Sequence, residues 1–175
     1  MKTKLSLQQV NDLSPNEFHQ IFINVIECWS EGAIYVSALV PFKNFDRLIE
    51  SFHRYLDQLS IENKLKILRL HPDLAGKLAD DDLLTDESKY EQSCAGLDLL
   101  TAENKLKMNE LNYKYKQKFS FPFVICVREN SKFEAILKGI SERIDNEVQQ
   151  EIEIGIGEVK KICRLRILEI VDYSK

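Results

Sequence analysis

A histidine precedes a proline in Leu70-His71-Pro72-Asp73-Leu74-Ala75-Gly76-Lys77. Pro72 disfavours the helical conformation at the residue before it, so a helix ends by Leu70 and His71 projects from a corner. With an ordinary pKa of about 6.5, an imidazole there suits proton transfer at neutral pH. Asp73 is placed to cap the turn that follows. The same geometry fits a turn histidine bonded to a neighbouring carbonyl, and these residues alone leave both readings open.

Three further features could do chemistry. Ser88, Glu91, Gln92, Ala95 and Leu99 share one face of a helix expected from about Asp86 to Leu100, so polar side chains continue an apolar stripe. Small Ala95 and Gly96 would let a backbone or ligand approach it. The bland alternative is a solvated helix start with Glu91 paired to a lysine. In the last helix, Ile152, Ile156, Val159, Cys163, Arg166 and Ile170 repeat at spacings of four and three, which puts a guanidinium at a core position. A buried Arg166 requires an anion, either a structural carboxylate, for which Glu91 is a candidate, or a ligand carboxylate bound in bidentate fashion. Finally, Phe119 to Val127 reads on local propensity as a short buried strand. Buried non-helical backbone must place its N–H and C=O groups somewhere, and a flat polar heterocycle could take them.

The elements that must position these groups are almost all helical. Ser14-Pro15-Asn16-Glu17 combines an N-cap, a proline at the first helical position and a capping-box glutamate, and Phe18, Ile21, Phe22, Val25, Ile26 and Trp29 follow at helical spacing. Phe45 to Leu59 is a second helix, Ser60 caps a third that ends at Leu70, and Thr101 opens one that runs to Phe119. Ser131 to Glu134 reads as another capping box, and the final helix runs from about Glu147 towards Val171. The expected fold is all-α: one compact multi-helix bundle, residues 1–175 as a single domain, with one short extended segment near Phe121–Val127.

Composition narrows the function classes. The 175 residues are 44% hydrophobic and 30% charged, which excludes general disorder. The longest charge-free stretch, Gly32 to Phe42, is far short of the roughly 18 residues a membrane span needs. A net charge of -4 with interspersed signs offers no basic face for nucleic acid. Met1 to Val10 has no apolar run for an export leader, and Tyr173-Ser174-Lys175 lacks the final Leu of a peroxisomal address, so a cytoplasmic protein is expected. Cys28, Cys94, Cys126 and Cys163 form no Cys-x-x-Cys pair and are expected as buried, reduced thiols. His19, His53 and His71 have no metal-ligand spacing, so no metal site is expected.

Taken in order, the motifs match a known pattern. His71-Pro72-Asp73-Leu74-Ala75-Gly76 is followed by Ser88-x-x-Glu91-Gln92 with Ala95-Gly96-Leu97. Then come Leu111-Asn112-x-x-Tyr115-x-x-Lys118-Phe119, Phe121-Pro122-Phe123-x-Ile125-x-Val127-Arg128, the Arg143 to Asn146 stretch and Leu165-Arg166-Ile167. From about Ser14 to Val171 the chain resembles the 2-oxo-4-hydroxy-4-carboxy-5-ureidoimidazoline (OHCU) decarboxylases of uric acid degradation. Each piece is weak alone, but their joint order and spacing are specific.

The resemblance implies an all-α homodimer that uses no cofactor and converts a small ureide to (S)-allantoin with release of carbon dioxide. It implies His71 as the acid of the family's His-Pro motif and puts the glutamate of its Ser-x-x-Glu-Gln motif on Glu91, and from these we expect His71 and Glu91 to form an acid/base pair. Substrate contacts would come from Pro72, Ser88, Gln92, the extended segment Phe123, Val124, Ile125, Cys126 and Val127, and Arg166. Two residues depart from the family pattern. Ser120 replaces the usual Gly before Phe-Pro-Phe, which bears on the backbone angle there, and Ile167 replaces a Leu. The competing readings are a helical interaction module, in which Arg166 and the face around Glu91 are only structural, and a related lyase acting on another small ureide or hydroxy acid.

Overall fold

The computed structural model describes residues 3–173, apart from the side chains of residues 78 and 80. Met1, Lys2, Ser174 and Lys175 lie outside the described residues, and so do parts of the two stretches on which the targeting expectations rest. In chain order the α-helices are α1 (Leu7–Asn11), α2 (Pro15–Phe22), α3 (Glu31–Ser37), α4 (Phe45–Gln58), α5 (Ile61–Leu70), α6 (Lys77–Asp80), α7 (Asp86–Cys94), α8 (Ala102–Phe119), α9 (Phe133–Arg143) and α10 (Val148–Ile170). A 3-10 turn covers Leu97–Leu99. No strand occurs among the described residues, and Leu5 and Val171 form an isolated bridge. The fold is all-α, as the helical periodicity predicts. No helix among the described residues is long and apolar enough to cross a membrane.

By contacts the chain divides into two compact units, Met1–Ile67 with Val159–Lys175, and Leu68–Glu158. In the first, Ser14 caps α2: Glu17 N–H donates to Ser14 Oγ at 3.3 Å, and Ser14 N–H donates to Glu17 Oε2 at 2.9 Å. That helix stops at Phe22, short of the expected Trp29, because the Asn24 carboxamide takes the N–H of Cys28 at 2.8 Å and competes with helical pairing. Phe18 stacks on Phe22 with ring centroids 4.3 Å apart, and Phe52 of α4 lies 6.2 Å from Phe22. With Leu48, Leu56, Val159, Cys163 and Ile167 fully buried, these rings form the first core.

The second unit centres on Tyr115 of α8, whose ring lies 4.5 Å from Phe119, 5.9 Å from Phe121 and 5.3 Å from Phe123. Thr101 caps α8 as expected. Gly155 lets Leu68 pack close, since a Cβ there would lie 2.8 Å from Leu68 Cδ2 and would displace the leucine side chain.

Several local expectations change. The helix from Asp86 ends at Cys94 because Gly96 turns left-handed (φ 68), and Leu99, expected on the inner stripe, is 83% exposed. Lys132, not Ser131, precedes α9, and its side chain makes no cap bond. Asp73 caps nothing; Gly76 starts α6, and Asp73 Oδ2 pairs instead with Lys116 Nζ at 3.0 Å. Cys28 and Cys94 are exposed, whereas Cys126 and Cys163 are buried, and none of the four is in a disulfide. Phe121–Val127 is buried but is not a strand, because no neighbouring strand exists among the described residues to complete a ladder.

Candidate active site

The second unit holds most of the residues with chemical potential. His71 follows α5 at a bend and is buried. Three residues later the chain passes Leu74 and turns through Ala75, whose φ of 48 is a left-handed conformation costly for a residue with a Cβ. Two amides hold this corner. Gln92 Oε1 accepts the Ala75 N–H at 2.9 Å, and its Nε2 lies 3.5 Å from the Asp73 carbonyl. From α8, Asn112 Nδ2 donates to the Leu74 carbonyl at 2.9 Å. The corner that carries His71 is therefore bound to the same side chain that lies on the polar stripe of α7.

That stripe faces inward. Thr85 caps α7, accepting the Ser88 N–H at 3.2 Å, and from this start Ser88, Glu91 and Gln92 fall on one face and are each less than a tenth exposed. The solvated reading of the stripe is thereby excluded: a surface helix would not bury a serine, a carboxylate and a carboxamide together. Next to it runs the irregular segment. Arg128 lies over the Tyr90 ring of α7 at 5.5 Å. Burial pushes the Cys126 thiol up to about 11, the backbone bond from Glu129 opposes the rise, and the carboxylates of Glu129, Glu158 and Glu91 add smaller raising contributions.

Phe123, Val124, Ile125, Cys126 and Val127 are all buried, and side chains rather than a sheet hold their backbone. The Val124 carbonyl accepts from Arg143 Nη1 at 2.8 Å, and the Cys126 N–H donates to Glu158 Oε2 at 2.8 Å. The Cys126 carbonyl accepts from the Glu129 N–H at 3.1 Å and from the Asn130 N–H at 3.2 Å. Among the described residues, no backbone carbonyl accepts from the N–H of Val124, Ile125 or Val127. Ser120, just upstream, adopts the left-handed angle (φ 61) that a Gly would reach without strain and closes α8 with its N–H on the Lys116 carbonyl at 2.9 Å.

In its order along the chain, this set matches one family throughout: the family model described as OHCU decarboxylase covers residues 11–168. The chain belongs to the OHCU decarboxylase family. Among its relatives, an OHCU decarboxylase of Amia calva is 44% identical over 95% of this chain and 95% of that one. One of Xenopus laevis is 39% identical over 95% and 94%. A crystal structure of an OHCU decarboxylase obtained in the presence of (S)-allantoin superposes with a TM-score of 0.70 at 25% identity, covering 89% of this chain and 99% of that one. A crystal structure of (S)-allantoin synthase shares the fold, with a TM-score of 0.75 at 20% identity over 96% of this chain and 54% of that one.

In this family member Arg166 lies in the first unit. Its Nη2 is 2.6 Å from Glu27 Oε2 and its Nη1 donates to the Asn24 carbonyl at 2.8 Å, with the arginine side chain 3% exposed. The structural carboxylate is Glu27, in place of the Glu91 considered from the sequence. Periodicity could not have found it, because Glu27 sits in the irregular stretch after α2. No role is expected of Asn112 or Glu158 from the sequence: Asn112 enters only as part of a motif, and Glu158 lies off the stripe of α10 that carries Arg166. A cavity of about 360 Å³ opens beside α7, lined by Lys89, Tyr90, Gln92, Ser93, Leu97 and Asp98 among others. Of the expected site residues, Gln92 is the one that lines it. Among the described residues no three His, Cys, Asp or Glu side chains gather as a metal site requires.

Proposed function

We propose that this chain decarboxylates OHCU to (S)-allantoin, the closing step from urate to allantoin. In that substrate the carbon bearing the carboxylate and hydroxyl adjoins an imine carbon, so the electron pair released with carbon dioxide flows into the C=N bond. The substrate thus supplies its own electron sink, and the chemistry calls for no cofactor. The protein must orient the substrate, exclude water and deliver one proton to a single face of the ureido-bearing carbon.

The observation that carries this reading is the bond from Ala75 N–H to Gln92 Oε1, because it ties the His71 corner to the buried face that bears Glu91. In our reading His71 and Glu91 act as the acid/base pair, one managing the hydroxyl proton and the other the proton that sets the stereocentre. Pro72 stiffens the corner. Ser88, the remaining N–H of Gln92 and the backbone edge of Phe123, Val124, Ile125, Cys126 and Val127 hold the ureide and ring amides. The same reading makes the enzyme a cytoplasmic homodimer, for which sedimentation at micromolar concentration should give twice the mass of the chain.

The decisive experiment generates OHCU from urate and follows optical rotation against the spontaneous reaction. The wild-type protein should speed formation of the optically active product, and His71→Ala should lower the catalysed rate by about a hundredfold or more. An unchanged rate and enantiomeric excess in His71→Ala would refute the role of the imidazole.

A further inference from the structure

Beneath the segment from Phe123 to Val127 lies a buried carboxylate that the proposed chemistry does not use. Glu151 of α10 is 0% exposed and gathers donors from three other places in the second unit. Arg143 donates to its Oε1 through Nε at 2.8 Å and through Nη2 at 2.6 Å. The Tyr115 hydroxyl donates to the same oxygen, and Asn146 Nδ2 donates to Oε2 at 2.7 Å. Burial and the neighbouring carboxylate drive the Tyr115 phenol upward, so it remains a donor. With this many donors the charge of Glu151 is well satisfied, and the network has one arrangement rather than several.

The third nitrogen of Arg143 leaves this network. Nη1 donates to the Val124 carbonyl at 2.8 Å, and the guanidinium plane lies over the Phe123 ring at 4.5 Å. A planar fork held through two nitrogens by one oxygen of Glu151 therefore grips the segment at a carbonyl and at the adjacent ring, from the side of α9 and α10. A carbonyl fixed on one side of an extended residue fixes the direction of the N–H groups that follow. We propose that Arg143, aimed by Glu151, is a positioning residue for the decarboxylation: it sets the backbone of Val124 to Val127 in the orientation that binds the ureide. This rests on the function proposed above. A lysine cannot substitute for it, because one ammonium on a flexible stem cannot serve Glu151, the Val124 carbonyl and the Phe123 face together.

The test compares Arg143→Lys with Tyr115→Phe. Both weaken the donor set of Glu151, but the tyrosine variant keeps its ring contacts and leaves the arginine fork in place. Thermal melting, KM and enantiomeric excess are measured for OHCU generated from urate. Arg143→Lys should raise KM about tenfold while melting close to Tyr115→Phe, whose KM stays at the wild-type value. A wild-type KM in a folded Arg143→Lys, or an equal rise in KM in both variants, overturns the proposal. If Arg143→Lys does not fold, the decision passes to the wild-type protein, in which the Arg143 Nε–H resonance is followed on saturation with (S)-allantoin. A shift with slowed exchange supports the positioning role, and an unmoved resonance overturns it. A wild-type protein that neither accelerates decarboxylation nor binds (S)-allantoin would instead sink the proposed function itself.

Discussion

Arg166 and Glu27 form an ion pair 2.6 Å long with both side chains out of solvent, 3% and 2% exposed. Removing either partner leaves a buried charge uncompensated, at a cost of about 3–5 kcal/mol, whereas neutralising both together is far less harmful. Arg166→Met and Glu27→Gln should each lower the thermal midpoint sharply, and the double variant should recover most of the loss. A simple sum of the two single losses in the double variant would show that the pair is not coupled. The double variant also isolates the ligand-binding role expected of Arg166. With stability restored, KM for OHCU should remain raised, and a KM that recovers with stability would reduce Arg166 to a structural residue.

Ser120 holds a left-handed angle (φ 61) at the C-terminal end of α8. For a residue with a Cβ that conformation costs about 1–2 kcal/mol, part of which a Gly would return as greater freedom in the unfolded chain. Ser120→Gly should therefore raise stability by up to about 1 kcal/mol, read from urea melts at constant slope. A destabilised variant would mean that the serine side chain contributes more than the strain removes.

Cys28 and Cys94 are exposed, Cys163 and Cys126 are buried, and burial raises the Cys126 thiol to about 11. Since the thiolate is the reactive form, a disulfide-exchange reagent at neutral pH should titrate two thiols rapidly in the native protein and four in denaturant. Fast reaction of Cys126 in the native state would show that the segment around it opens readily.

His53 Nε2 lies 3.0 Å from the Lys160 carbonyl. Burial lowers its pKa, against the opposing effect of the bond to Lys160, and the nearby charges of Lys160, Asp57 and Arg164 add smaller contributions of both signs. The fold thus favours the neutral ring, and the unfolded chain takes up the proton first. The associated stability is present above the unfolded value of about 6.5 and is lost as pH falls through the lower folded value. Between pH 7 and 5 the melting midpoint of His53→Gln should fall less steeply than that of the wild type. Parallel slopes would remove His53 from the acid response.

Much of the helical order was legible because its causes are local. Ser14 with Glu17 and Thr101 with its following turn carry caps that act within four residues, and the stripe on α4 repeats Phe45, Leu48, Ile49, Phe52 and Leu56 at one period. Where a nearby side chain or glycine overrides periodicity, the helix is shorter than its apolar stripe predicts. Asn24 intercepted the N–H of Cys28 and ended α2 early, and Gly96 turned the chain out of α7 before Leu99. The composition of the segment after Ser120 suits a strand, but a strand exists only with a partner.

By itself, the sequence determined most of the longer helices, the corner at His71-Pro72 and the one-face grouping of Ser88, Glu91 and Gln92, since each follows from residues within a few positions of one another. Only the tertiary structure decided that this face turns inward, that Gln92 clasps the His71 corner, that Glu27 answers Arg166 and that Arg143 hangs the Phe123 segment from Glu151. These are pairings between residues distant in the chain. Periodicity marks which side chains need a partner, but packing alone selects it.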